Sequence, residues 1–291
     1  LARRALGEGR PRIAQRQLKQ WLKYYRDASE LHPEALFLLG RAEFELGNYM
    51  NAHHRYREVI NGWPGTEWAE RATRADFLVA EVFLSGKRRK VLGVPLLKAE
   101  DEGIEILDRI GTEYANTVLA EEAIKTKADY YFARGEYDFA EDEYARLARE
   151  FPQSQYVRYA LLRSAEAALA QYGGIHFQDK PLAEAEERFD QYRQRFPNSP
   201  QDEEVRLIRE EITHRRAEKE FEVGRYYRRA RQFRAAAYYF RYVMQTWPDT
   251  TWSKLAASEL EQIEPFAALQ AETASRPPAQ RTPVMEEAPR Q

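Results

Sequence analysis

The chain has 291 residues, with 45 lysines and arginines against 47 aspartates and glutamates, a net charge of −2 and a mean hydropathy of −0.75, yet 13% of its residues are aromatic. The near balance of charge leaves no global field to attract nucleic acid or an anionic membrane surface. No apolar run approaches the ~20 residues of a membrane-spanning helix, and the lack of Cys excludes disulfides and thiolate metal sites. Helix formers dominate, Gly and Pro number only 14 each, and period-two runs of Val, Ile and Thr are scarce, so the predicted class is all-α.

Read from the start, Gly9, Pro11, Ala14 and Leu18 form the second half of a helix-pair repeat whose first helix is missing or incomplete. The first full unit carries Gly47-Asn48-Tyr49, then Ala52, Tyr56 and the closing pair Trp63-Pro64. An insertion from Gly86 to Lys98 follows, with a basic head, Lys87-Arg88-Arg89-Lys90, and an apolar body, Val91 to Leu97. It reads as a loop folded back over the stack, or as a contact on an acidic partner surface or on lipid headgroups. Gly103, Leu107 and Tyr114-Ala115 mark a degenerate second unit.

The third unit has Gly135-Glu136-Tyr137, Ala140, Tyr144 and Phe151-Pro152. The fourth, after an insertion from Gly173 to Lys180, has Ala185, Phe189 and Phe196-Pro197, and the fifth, behind a first helix lengthened to roughly 203–229, has Ala236, Phe240 and Trp247-Pro248. Trp252 to about Leu269 reads as a capping helix, and the polar, Pro-rich stretch from Ala271 as a disordered tail. The expected divisions are 1–117 for the N-terminal repeats, 118–270 for the C-terminal repeats and cap, and 271–291 for the tail.

One physical device accounts for the repeat. An Ala and a ring four residues apart share a helical face, where the small side chain admits a neighbouring helix and the ring fills the space beside it. The closing Pro cannot continue the hydrogen-bond ladder and ends that helix. The Ser or Thr that follows, at Thr66, Ser154, Ser199 and Thr250, is suited to capping the next one. The expected fold is therefore a tetratricopeptide-type α-solenoid of about five helix pairs with a C-terminal capping helix, in units longer than the about 34 residues of the minimal repeat.

In such a stack the first helices line a concave face. The repeat register puts Arg225, Arg228 and Arg229 there beside Tyr226 and Tyr227, with Lys125, Asp129 and Phe132 in the equivalent places of the third unit and Phe37, Arg41 and Phe44 in the first. Arg with aromatic rings favours a groove for peptides; the plainer alternative buries the rings between helices and leaves the arginines in water. Catalysis has no visible address, since GxSxG, HExxH, GxGxxG and GxxxxGK[ST] are all missing from the sequence. His214 stands four residues from Glu210 and from Glu218, a spacing able to put three ligands on one face. Such mixtures are ordinary on exposed helices, however, and neither a metal nor a cofactor is expected.

From Tyr137 to about Leu260 the chain resembles the BamD family, tetratricopeptide lipoproteins of the outer-membrane β-barrel assembly machine. The resemblance rests on Phe151-Pro152-Gln153-Ser154-Gln155-Tyr156, on Lys180 to Ala185 and Phe196-Pro197-Asn198-Ser199, and on a long helix reaching Tyr226-Tyr227 ahead of Phe233, Ala235-Ala236 and Trp247-Pro248-Asp249-Thr250. It implies a protein at the periplasmic face of the outer membrane, held by a lipidated N-terminal Cys. It also implies partners in a barrel-insertase subunit, other assembly-machine lipoproteins and unfolded outer-membrane proteins. In this sequence the anchor would have to lie upstream of Leu1, the units before Ala115 extend beyond the family's usual start, and Tyr239 stands where many relatives carry an Arg that meets a partner. The alternatives are a cell-envelope coordinator similar to CpoB/YbgF, which usually carries a coiled coil ahead of its repeats, and a cytoplasmic adaptor.

Overall fold

The computed structural model describes residues 1–25, 30–86, 89–91, 94–97, 99–174 and 180–275. The chain divides into two compact units, Leu1–Ala167 and a second beginning at Ala168. The first contains α1 (Ala2–Gly7), α2 (Pro11–Tyr24), α3 (His32–Glu45), α4 (Tyr49–Gly62), α5 (Glu67–Leu84), α6 (Glu100–Glu113), α7 (Val118–Ala133), α8 (Tyr137–Glu150) and most of α9 (Val157–Ala170). The second contains α10 (Lys180–Arg195), α11 (Asp202–Arg229), α12 (Phe233–Thr246) and α13 (Thr251–Ser275).

Within each unit consecutive helices pack on one another, and alternate helices also touch, α3 with α5, α5 with α7 and α11 with α13. That double adjacency is the packing of a helix-pair repeat array, so the all-α, tetratricopeptide-type reading holds. One departure lies in the insertion expected as a loop: β1 (Arg89–Val91) pairs antiparallel with β2 (Val94–Leu97) as a short hairpin. The other is the final helix, which continues through Pro265 to Ser275, beyond the Ala271 at which the tail was expected to begin. The remainder of that tail, residues 276–291, lies outside the described residues.

The repeat device appears in the packing as its chemistry requires. Ala52, Ala140, Ala185 and Ala236 are fully buried, and the rings four residues later, Tyr56, Tyr144, Phe189 and Phe240, are buried with them. Each ring needs a shallow place on the preceding helix. A Cβ at Gly40 would stand 2.5 Å from the Tyr56 ring and one at Gly224 2.6 Å from the Phe240 ring, so at both positions only Gly leaves room. The cost of Gly inside a helix, about 1 kcal/mol against Ala, is offset there by ring burial. Ala128 holds the matching place before Tyr144 and is likewise fully buried.

The turns follow the same economy. Thr66, Thr117 and Thr250 each accept a hydrogen bond from a first-turn N–H of the next helix, at Ala69 (3.3 Å), Ala120 (3.2 Å) and Ser253 (3.2 Å). Each hydroxyl also donates to the carbonyl of the closing aromatic, Trp63 (2.7 Å), Tyr114 (2.7 Å) or Trp247 (2.9 Å), so one side chain joins the end of one helix to the start of the next. Inside the helix pairs, Gly47 and Gly135 take the left-handed conformation at φ 72° and 75°. Arg231 takes it in the fifth unit at φ 57°, where the missing Cβ of glycine would have been favoured.

Candidate protein-binding surfaces

The residues singled out in the third unit form a closed polar knot. Asp129 accepts from Lys125 Nζ at 2.7 Å on one oxygen, and from the Tyr144 and Tyr159 hydroxyls at 2.5 and 2.7 Å on the other. Lys125 also lies 4.7 Å from the centroid of the Tyr159 ring, and the Arg163 guanidinium sits 3.6 Å over the ring of Phe132 while pairing with Glu166 at 2.6 Å. Burial, and then the bond to Asp129, push the Tyr144 and Tyr159 hydroxyls above their ordinary range. For Lys125 burial opposes the charge, but the bond to Asp129 outweighs it and the ammonium is held above its usual range. Helices α7, α8 and α9 thus satisfy these groups among themselves.

In the first unit, Phe37 lies 5.8 Å from Tyr56 and 5.6 Å from Trp68, and Phe44 lies 5.3 Å from Tyr49, measured between ring centroids. Arg41 pairs with Glu45 at 3.0 Å. Arg3, Phe37, Arg41, Trp68 and Arg71 border a cleft of about 510 Å³. Its arginines are matched, Arg3 with Glu34 and Arg71 with Glu67 at 2.5 Å.

The fifth unit is organised differently. Arg228 turns to α13, pairing with Glu259 and donating to Gln262 at 3.0 Å, while Arg225 pairs along its own helix with Glu222 at 2.8 Å and Arg229 is exposed. The tyrosines carry the surface. Tyr226 meets Tyr227 edge-on at 5.5 Å, and Tyr227 stacks on Tyr239 at 5.4 Å and 11°. Tyr239 meets Tyr238 at 5.4 Å, Tyr238 lies parallel to Tyr242 at 6.4 Å, and Tyr242 meets Trp247 at 5.5 Å. Six rings in continuous contact leave Tyr226, Tyr238 and Tyr242 exposed at 60%, 64% and 37%. Rings of this kind, amphipathic and poor in rotamers, lose little entropy on binding and recur as anchors of protein interfaces.

Tyr238 and Tyr242 had not been singled out in the sequence, although they stand four residues apart opposite the buried Ala236–Phe240 face of α12. Of the basic head, Lys87 and Arg88 lie outside the described residues and Arg89 and Lys90 begin β1. His214 bonds to neither of its spaced glutamates: its Nδ1 accepts from Trp252 Nε1 at 3.0 Å and its Nε2 lies 3.2 Å from the Thr251 hydroxyl. Among the described residues no three His, Asp or Glu side chains are grouped to hold a metal ion.

Buried Ala-and-ring pairs, Thr-capped turns and alternate-helix packing define a tetratricopeptide-repeat protein, and residues 1–52 match a tetratricopeptide-repeat family profile. Residues 99–276 match the YfiO family of outer membrane lipoproteins. The chain belongs to that family, and the match begins well upstream of the Tyr137 at which the BamD resemblance was read. No curated protein matches the chain. Among solved structures it is similar to the C-terminal part of a TPR repeat-containing protein from Cytophaga hutchinsonii, with 13% identity over 88% of this chain and 97% of the other and a TM-score of 0.24. A likeness so low adds nothing to the fold described above. Among the described residues no helix is long and apolar enough to cross a membrane.

Proposed function

We propose that the chain is a protein-binding scaffold of the outer-membrane β-barrel assembly machinery, working at the periplasmic face of the outer membrane. It acts by holding partners, a barrel-insertase subunit, companion lipoproteins and unfolded outer-membrane proteins, with no bond made or broken. Membership of an outer membrane lipoprotein family supports the location. The observation that carries the binding role is the exposed tyrosine ladder at the end of α11 and along α12, with Arg225 and Arg229 beside it on α11. The rings supply contact area in a preformed surface, and the arginines orient the partner. Lys125, Asp129 and Phe132, which the repeat register assigns to a partner-binding face of the third unit, act there as a rigid wall held by their own contacts, and Arg89 and Lys90 are candidates for a lipid or partner contact.

The test is calorimetric titration of the chain with purified periplasmic domains of a barrel-insertase subunit. Arg225→Glu combined with Tyr226→Ser touches only exposed side chains, and should weaken binding at least about tenfold, the loss of one interface hot spot, with unchanged far-ultraviolet circular dichroism. Equal affinity for the variant and the parent would defeat the assignment.

A further inference from the structure

The turn between α11 and α12 has a surface of its own. From Val223 to Pro248 the sequence holds six arginines and no Lys, Asp or Glu. Neighbouring acids satisfy three of them: Arg225 pairs with Glu222, Arg228 with Glu259 and Arg241 with Glu264. The other three are Arg229 in the last turn of α11, Arg231 in the turn itself and Arg234 in the first turn of α12. All three are exposed, and among the described residues none of their guanidinium groups meets an acid.

Helix α13 brings apolar side chains to the same place. Gln270 donates from Nε2 to the Arg231 carbonyl at 2.7 Å and accepts from the Arg234 N–H at 3.2 Å, and Phe266 packs on Phe233 at 5.1 Å between centroids. Leu269 and Gln270 follow Phe266 by three and four residues, on one face of α13. Phe266 and Leu269 are nevertheless 53% and 63% exposed. Three uncompensated guanidinium groups and two large apolar side chains therefore gather at one end of the helix layer. Cations that keep their water beside apolar groups that shed theirs suit the boundary between phosphate headgroups and acyl chains.

We propose that this end of the second compact unit docks on a bilayer bearing anionic phospholipids, with Arg229, Arg231 and Arg234 on headgroup phosphates and Phe266 and Leu269 in the boundary beneath them. A guanidinium is weakly hydrated and offers a phosphate two parallel N–H bonds. Near an anionic leaflet each such cation raises partition about fivefold, so three raise it roughly a hundredfold. The apolar side chains add a component that salt does not screen. Membership of an outer membrane lipoprotein family makes a phospholipid leaflet the anionic surface to expect. The contact fixes which end of the unit turns toward that leaflet, which a flexible lipid tether by itself does not.

The experiment is co-sedimentation of the full chain with vesicles of phosphatidylethanolamine and phosphatidylglycerol, and with vesicles of phosphatidylcholine alone. The chain should bind the first and not the second, and binding should weaken strongly at about 1 M salt, where the Debye length is about 3 Å. Arg231→Gln with Arg234→Gln should lower partition about twenty-five-fold, two cations at about fivefold each, with unchanged far-ultraviolet circular dichroism. Leu269→Ser should lower it several-fold and leave the salt dependence as it was. Arg12→Gln with Arg16→Gln, an equal change of charge at exposed sites in the other compact unit, should bind as the parent does. Equal partition of the Arg231 and Arg234 variant and the parent, or an equal loss in the Arg12 and Arg16 variant, would overturn the proposal. So would release from the vesicles by millimolar glycerophosphoglycerol, since the ligand would then be a free phosphate ester and not a bilayer. No protein partner enters this test, so its failure leaves the ladder's binding role as it stands.

Discussion

The Asp129 knot and the tyrosine ladder are built from the same materials at matching places in the repeat, and they end as opposites. Asp129 occupies the position that Arg225 holds in the fifth unit, and Phe132 the position of Arg228. In the first compact unit α8 and α9 deliver two hydroxyls to Asp129, and α9 also lays a guanidinium over Phe132. In the second, α13 offers Glu259 and Gln262 to Arg228, and Tyr226, Tyr238 and Tyr242 remain exposed. Arg and aromatic residues at these positions of the repeat are therefore left open to a partner only where the neighbouring helix fails to satisfy them.

The contrast can be broken most forcefully at Asp129. Asp129→Ala strands two tyrosine hydroxyls and a lysine in a half-buried site and should cost about 2–4 kcal/mol, whereas Tyr238→Ser, on the open back of α12, should stay within about 0.5 kcal/mol. Urea unfolding of the two variants tests both, and equal losses would erase the distinction. Gly224→Ala and Gly40→Ala come next. A methyl at 2.6 or 2.5 Å from a buried ring should destabilise by about 1–3 kcal/mol through overpacking, despite the better helix propensity of Ala. An increase in Tm would show that the ring has somewhere to go.

A smaller effect of opposite sign is expected at Arg231, held at φ 57°. Arg231→Gly should raise stability by about 1 kcal/mol by removing the Cβ clash of the left-handed conformation. The same unfolding curves read it, and no change would mean that the bonds of Gln270 to this turn already hold the strain.

Titration separates the regions once more. Glu43 is buried in the first unit; burial would raise its carboxyl, but hydrogen bonds from Lys19 and Asn48, both at 2.8 Å, hold it below the usual carboxylate range. A folded-state value below the unfolded one contributes stability that is complete above the ordinary carboxylate pKa, about 4.3, and is lost as pH falls through the folded value. Thermal scans from pH 6 to pH 3 should accordingly show a loss that Glu43→Gln flattens.

How much of this was legible in the sequence follows from range. The Ala-and-ring spacing, the closing Pro and the capping Thr are local, and they placed the helices, their ends and the all-α class. The partner of Arg228 was not legible, because it is supplied from thirty-one residues away, nor was the knot, since Tyr159 reaches Asp129 across thirty. The hairpin of β1 and β2 gave no alternating pattern long enough to announce a strand. Arg231 concealed a left-handed turn behind a residue that seldom adopts one. Tyr238 and Tyr242 are legible in principle, since their i, i+4 spacing lies opposite the buried Ala236–Phe240 face, but the repeat register points to the concave side and not to the back of α12.

The most direct test of the claim that the ladder binds and the knot only supports is a paired measurement of affinity and Tm. The partner is the periplasmic region of a barrel-insertase subunit, and the variants are Tyr226→Ser with Tyr238→Ser on one side and Tyr159→Phe on the other. The ladder variant should lose at least about tenfold in affinity with its Tm unmoved, while Tyr159→Phe should lose about 1 kcal/mol of stability and bind as before. Undiminished affinity in the ladder variant, or a loss of binding confined to Tyr159→Phe, would contradict it.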